Sequence, residues 1–308
     1  PMSLSGFLDA APIILLIGIG VLLRATRLVD ERSGLVLTRV AYHVTIPAAI
    51  FSSIAKAQFS RSMLYLPLLG LALPTLLAGI AYLTTRRLKD QPARRGVLLS
   101  AMVVLGVFGY PFMELFFGAE GLTRVALYDV GNSVFAGTLA LWIAQRFGAH
   151  SADQPKGQAW KRIATSPVMW AAALGTAASL LHVEVSGPIG NLLGRLAAAN
   201  TPLAMMAVGV FVRPRAAYGA LVAQFVGLRM VLGGLIAWLV AMALGMDGLD
   251  VVVACSAASL PAGTTALIYA GNEGLDTEFA ASLISITVII GAVLINILPH
   301  VLARVYMP

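Results

Sequence analysis

Residues 62–85, SMLYLPLLGLALPTLLAGIAYLTT, contain no Asp, Glu, Lys or Arg, and neither do residues 251–272. Each run is long enough for the apolar core of a bilayer, which takes about 20 residues of helix. Inside hydrocarbon no water satisfies backbone N–H and C=O groups, so a spanning segment must be helical or belong to a closed barrel. Barrel strands alternate apolar and polar side chains over short segments, whereas these runs are apolar on every side and rich in Leu, Ala and Gly. The fold class is therefore all-α integral membrane. Composition extends this to the whole chain, with 59% hydrophobic residues, 11% charged residues and a mean hydropathy of +0.87.

Ten spans are read, at about 5–24, 34–55, 62–85, 96–117, 123–146, 163–182, 187–212, 215–245, 249–271 and 277–304. The loops between them are too short for a soluble domain, and no GxxxxGK[ST] phosphate loop occurs. The single cysteine, Cys255, lies in an apolar span and offers no disulfide. His43, His150, His182 and His300 have no ligand spacing, so neither a metal nor another cofactor is expected beyond a coupling proton or sodium ion. An intramembrane enzyme would need clustered Asp, or paired Glu and His, to hold a metal; the chain has neither and reads as a non-enzyme.

Basic residues next to the spans set orientation. Segments 24–32, 86–95, 146–162 and 213–215 hold fourteen Lys and Arg, against four on the opposite side: Lys56, Arg61, Arg124 and Arg304. This bias puts both termini outside the cytoplasm in a cell inner membrane. The first span lacks a basic leader and a small-residue cleavage site, and reads as retained. The net charge of +7 is accounted for by cytoplasmic loops facing anionic lipid, with no nucleic acid partner.

The chain also repeats itself. GAEGL at 118–122 returns as GNEGL at 271–275, Pro12 and Pro47 return as Pro167 and Pro202, and Ser33-Gly34 returns as Ser186-Gly187. The organisation read from this register is a first five-helix repeat at 1–147, a cytoplasmic linker at 148–162 and a second repeat at 163–308. Five is odd, so the second repeat is inverted relative to the first, the arrangement of secondary transporters.

Each repeat has a Pro/Gly interruption in its fourth span: LGVFGYPF at 105–112 and SLPAGTTALIY at 259–269. Interrupted helices inside a membrane free backbone groups that persist only against protein or a water-filled cavity, and paired interruptions mark a binding site. Half-helix amino ends favour an anion. Ser259, Thr264 and Thr265 offer hydroxyl donors there, and Tyr110 and Tyr269 offer rings and phenols. Polar residues within spans are costly and call for a partner or a function. Asp129 and Asn132, three apart on one helix face, and Glu114 are the candidates for a coupling ion or proton. Asn200, Tyr42 and His43, beside Pro202 and Pro47, are expected to line the same cavity. Arg39, Arg195 and Arg229 read as snorkelling to the interface rather than pairing with a substrate carboxylate.

YHVTIPAAIFSSIAK, GYP followed by LFFGAEGL, ANTPLAMMAVGVFV, and SLPAG with LIYA resemble the auxin efflux carrier family over nearly the whole chain. That resemblance implies ten helices as two inverted repeats, broken fourth and ninth helices crossing at the centre, and an elevator-type movement of the crossing domain. Carried over residue by residue, it maps the span 4 crossing to Gly106, Gly109 and Pro111 and the span 9 crossing to Pro261, with Ser259 and Thr265 alongside; Tyr110, Gly263, Thr264, Pro47 and Asn200 complete the substrate site expected from the residues themselves. The family pattern often has Asn ahead of the GYP tyrosine, where this chain has Val104. The function implied is transport of malonate-like or auxin-like organic anions, with the lipid bilayer as the other partner and a homodimer as a compatible assembly. A sodium-coupled carrier like the related bile-acid symporters, or an organic-anion channel, is the alternative.

Overall fold

The computed structural model describes residues 4–149, 164–212, 218–246 and 248–307. Apart from residues 148 and 149, the linker lies outside the described residues, as do Arg213 and Arg215. The described residues form helices joined by short non-helical stretches, and the one β feature among them is an isolated antiparallel bridge between Val104 and Ala262.

Span 1 is helix α1 (Leu4–Ala25). Span 2 divides into α2 (Glu31–Val40) and α3 (Ile46–Ile54) around a π-helical turn at Ala41–Thr45. Span 3 is α4 (Tyr65–Thr84), entered through a short 3-10 turn. Span 4 starts as α5 (Pro92–Ser100) and resumes as α6 (Gly106–Phe135), which bends at Gly118 and carries on into span 5; a π-turn at Ala136–Ala140 and α7 (Leu141–Phe147) complete it. The second half runs α8 (Pro167–Leu180), then α9 (Gly187–Ala198) and α10 (Asn200–Phe211). There follow α11 (Gly219–Val226) and α12 (Gly233–Ala243) around a π-segment at Gly227–Leu232. The chain ends with α13 (Gly248–Ala258) and α14 (Thr265–Glu273) around a break, and α15 (Thr277–Tyr306).

Local chemistry explains many of these boundaries. Asp30 accepts from Ser33 N at 2.7 Å and caps α2, and Asp276 accepts from Phe279 N at 2.9 Å and caps α15. The repeated GxEGL motif turns the chain between the last two spans of each half. Its first glycine, Gly118, takes φ 60 and ψ −151, and in the second copy Gly274 takes φ 73 at the end of α14, conformations open to a residue without Cβ. Ser62–Thr84, Gly219–Ala243 and Thr277–Tyr306 are long and apolar enough to cross a membrane without a break. Large aliphatic side chains stand outward along the helices, among them Leu15, Leu68, Leu174, Leu239 and Val293, as expected of a surface whose solvent is lipid.

Helices approach closely where glycine removes the side chain. A Cβ on Gly20 of α1 would lie 2.1 Å from Met206 O of α10, and one on Gly209 of α10 would lie 2.1 Å from Ile17 O. The counterpart contact joins α3 to α8. In the other layer α4 lies on α6 through Gly70 and Gly131, the small-residue packing by which membrane helices gain dispersion contact.

Among the described residues two ion pairs join the halves. Arg124 Nε lies 2.6 Å from Asp250 Oδ1, where Asp250 also accepts from Ser62 Oγ. Arg94 Nε lies 2.8 Å from Asp276 Oδ2. The carboxylate of Asp250 is 4% exposed, whereas Arg94 and Asp276 are 37% and 20% exposed. Breaking a buried pair from one side costs about 3–5 kcal/mol, and an exposed pair contributes about 0–1 kcal/mol. Arg124→Ala is therefore expected to lower the thermal midpoint in detergent by far more than Arg94→Ala; equal losses would refute the ranking.

Candidate functional site

The interruptions of spans 4 and 9 meet. Leu105 N donates to Pro261 O at 2.9 Å and Gly263 N donates to Val103 O at 2.8 Å, which forms the antiparallel bridge. Each crossing segment is also held from behind by a side chain of the following span. Asn132 Oδ1 accepts from Val104 N at 2.9 Å while its Nδ2 lies 3.4 Å from Val104 O. In the other half Thr287 Oγ1 accepts from Ala262 N at 3.3 Å. Asn132 and Thr287 are 155 residues apart, the spacing of the proline pairs. Sequence reasoning missed Thr287, and that spacing was the signal that could have found it.

The break in span 9 falls at Ser259–Thr264 and contains Pro261, as expected. In span 4 it falls at residues 101–105, ahead of the expected LGVFGYPF stretch, and Pro111 is buried inside α6. Proline removes one donor, and at the sixth residue of α6 that loss is a single intrahelical bond. The break itself lies where Pro261, Val103 and Asn132 satisfy the freed backbone. At Val104 the backbone makes the polar contacts, and Asn132 brings the amide from the neighbouring span.

Asp129 is carried beyond the Gly118 bend of α6, and its carboxylate reaches back to the amino end of that helix at Gly106. A Cβ on Gly106 would stand 2.7 Å from its Oδ1, so Gly106 is what lets the carboxylate approach. Asp129 accepts from the Tyr110 phenol and from Asn132 Nδ2, the latter at 2.7 Å. All three are buried, and a carboxylate at a helix amino end meets the positive end of the helix dipole. Tyr42, on the π-turn of span 2, is close enough to Asp129 and Tyr110 for electrostatic interaction and shares a 3.3 Å contact with Ser166 Oγ.

The other predicted residues divide. Thr45 Oγ1 donates to Asn200 Oδ1 at 3.2 Å, joining the proline-flanked breaks of spans 2 and 7, and the Asn200 Nδ2 is buried with no acceptor among the described residues. Pro47 is half-buried at the start of α3. Gly109 packs on Leu260, Ser259 packs into the space left by Gly234, Pro261 lies over Gly291, and Gly263 lies on Val103 and Val104. Thr264 and Thr265 are half-buried at the amino end of α14. Thr264 borders a small cavity of about 10 Å³ shared with Leu105, Phe211 and Ser285, room for about one water. Tyr269 donates to Ala136 O.

Glu114 is half-buried on α6, apart from the Asp129 hydrogen bonds. Two expectations are corrected. His43 faces outward and bonds to Arg39 O, one turn back on its own helix, instead of lining the cavity. Arg39 and Arg195 are exposed as expected, but Arg229 is 0% exposed and donates to Ala258 O instead of snorkelling; the carboxyl end of a half-helix draws the guanidinium inward. A cavity of about 820 Å³ opens between residues 51–59 and 179–194 beside Lys56, His182 and Glu184. It lies away from the crossing, where the buried polar groups are concentrated.

An all-helical chain with lipid-facing aliphatic surfaces and two broken helices crossing in its interior is a polytopic membrane protein of the transporter class. It belongs to the auxin efflux carrier family: the model described as membrane transport protein matches residues 6–299. The chain is similar to an uncharacterized transporter of Methanothermobacter thermautotrophicus, 30% identical over 290 residues that cover 91% of this chain and 93% of the relative. It is also similar to an uncharacterized transporter of Methanocaldococcus jannaschii, 25% identical over 293 residues that cover 89% and 92%.

Proposed function

We propose that the protein is a secondary transporter of small organic anions, mono- or dicarboxylates of malonate-like or auxin-like size, working across the inner membrane by an elevator-type alternating access. The observation that carries this reading is the unequal treatment of the two half-helix amino ends at the crossing. The end of α6 already holds a carboxylate, Asp129. With Asn132 matched to Thr287, the residue matching Asp129 in span 10 is Ile284, an uncharged side chain, so in this reading the end of α14 keeps its positive field for a carboxylate brought by substrate. Thr264 and Thr265 supply hydroxyls at that end, and the unpaired Asn200 Nδ2 supplies a further donor.

Ten spans in two inverted five-helix repeats, with both termini non-cytoplasmic, are part of the same proposal. Equivalent residues contact each other only near a two-fold axis, and Thr45 with Asn200, 155 residues apart, behave in that way. The two inter-half ion pairs among the described residues support the same axis, because Arg94 lies within one residue of matching Asp250 and Arg124 within one of matching Asp276. Asp129 is the coupling acid in this reading, with Tyr110 and Asn132 as its partners.

The test is counterflow of labelled malonate in proteoliposomes against a panel of unlabelled carboxylates, with sodium and pH gradients varied separately. Saturable exchange driven by the pH gradient is expected. Flux without counterflow would replace the carrier by a channel, and a strict sodium requirement would replace the proton by sodium, as in the bile-acid-symporter-like alternative.

A further inference from the structure

Ala258 is the last residue of α13, so its carbonyl stands at the carboxyl end of a half-helix, immediately before the crossing. Such an end carries about half a negative charge, and in carriers built on broken helices carboxyl ends of this kind coordinate the coupling cation. Here a side chain is already there. The Arg229 guanidinium donates from Nη1 to Ala258 O, and a Cβ on Gly233 would stand 3.2 Å from that oxygen and 3.4 Å from Nη1. Gly233 thus packs directly against the Ala258–Arg229 contact.

Arg229 is buried to 0% exposure, its Nε and Nη2 have no partner among the described residues, and it forms none of the ion pairs found there. A buried cation without a carboxylate is costly and persists only where the local field is negative. The π-segment Gly227–Leu232, a distortion frequent at functional positions, carries Arg229. A residue serving only to fill space in this layer would be aliphatic, like Leu77 beside it.

We propose that Arg229 is a tethered cation: its guanidinium occupies the seat at the carboxyl end of α13 that a sodium ion would otherwise take, so the crossing is held together without sodium. This rests on the crossing being the working centre of the carrier, and it gives Arg229 a positioning role, acting through the end of α13 and the segment that follows.

The test reads cation dependence of stability in the purified full chain, independent of any transported substrate. Thermal midpoints are measured in detergent with sodium, potassium or guanidinium, the last at non-denaturing concentration, replacing choline at constant ionic strength. The unmodified protein and Arg229→Lys are expected to be indifferent to the cation. Arg229→Ala, with the seat emptied, is expected to gain a saturable stabilisation by sodium or guanidinium, a rise of about 4–8 °C if the cation contributes as a favourably placed charge at a helix end does. A folded Arg229→Ala that ignores every cation would overturn the proposal, as would saturable sodium stabilisation of the unmodified protein or of Arg229→Lys. Should Arg229→Ala fail to fold, those last two measurements decide. Malonate counterflow can fail while this pattern holds, which separates the seat from the choice of substrate.

Discussion

Asp129→Ala is expected to destabilise the protein by about 2–6 kcal/mol, because it strands the Tyr110 hydroxyl and the Asn132 amide in a buried site, at about 1–3 kcal/mol for each unsatisfied group. Both groups donate to Asp129 in the intact protein. Loss of the second bond also frees Asn132, whose amide holds both backbone groups of Val104 in the crossing. Asp129→Asn separates structure from coupling. It preserves shape and one acceptor oxygen, so the protein is expected to fold and to retain counterflow, yet to lose its response to an imposed pH gradient. A normal response in Asp129→Asn would remove Asp129 from the coupling role.

Gly70→Ala and Gly79→Ala place the same methyl group on the same helix with opposite expected results. At Gly70 the new Cβ would stand 1.9 Å from Tyr128 O, and at Gly79 nothing lies within 4 Å. A contact with backbone cannot be relieved by a rotamer change, so Gly70→Ala must separate α4 from α6 and strain the helix that carries Asp129 and Asn132. A loss of about 4 kcal/mol or more is expected, at the exceptional end for single substitutions, read as loss of the monodisperse peak in size-exclusion chromatography. Gly79→Ala is expected to be neutral or stabilising by about 0.5–1 kcal/mol. Gly131→Ala repeats the Gly70 test from the partner helix, where the new Cβ would stand 1.9 Å from Pro67 O.

Much of the fold was legible beforehand for one reason. Hydrocarbon tolerates few backbone solutions, so uncharged runs such as 62–85 and the interruption at Ser259–Thr264 announce themselves in one dimension. The interruption in span 4 was harder to locate. Pro111 and Gly109 drew attention to 105–112, but a proline in the early part of a helix costs one bond, and the chain breaks where partners wait, at Val103 and Val104. Arg229 was misjudged because length and flexibility describe what a side chain can reach, not which field it meets.

The sequence by itself determined the solvent, the helices, the internal register of about 153–155 residues and the polar residues that demand explanation, since each follows from local chemistry against a uniform apolar surrounding. Only the tertiary structure decided that Asn132 and Thr287 serve the same end in opposite halves, that the Asp129 carboxylate lies against Gly106 at the amino end of α6, and that Arg229 lies at the end of α13. Those assignments depend on which groups converge after the two breaks cross, and convergence through space leaves no periodic trace along the chain.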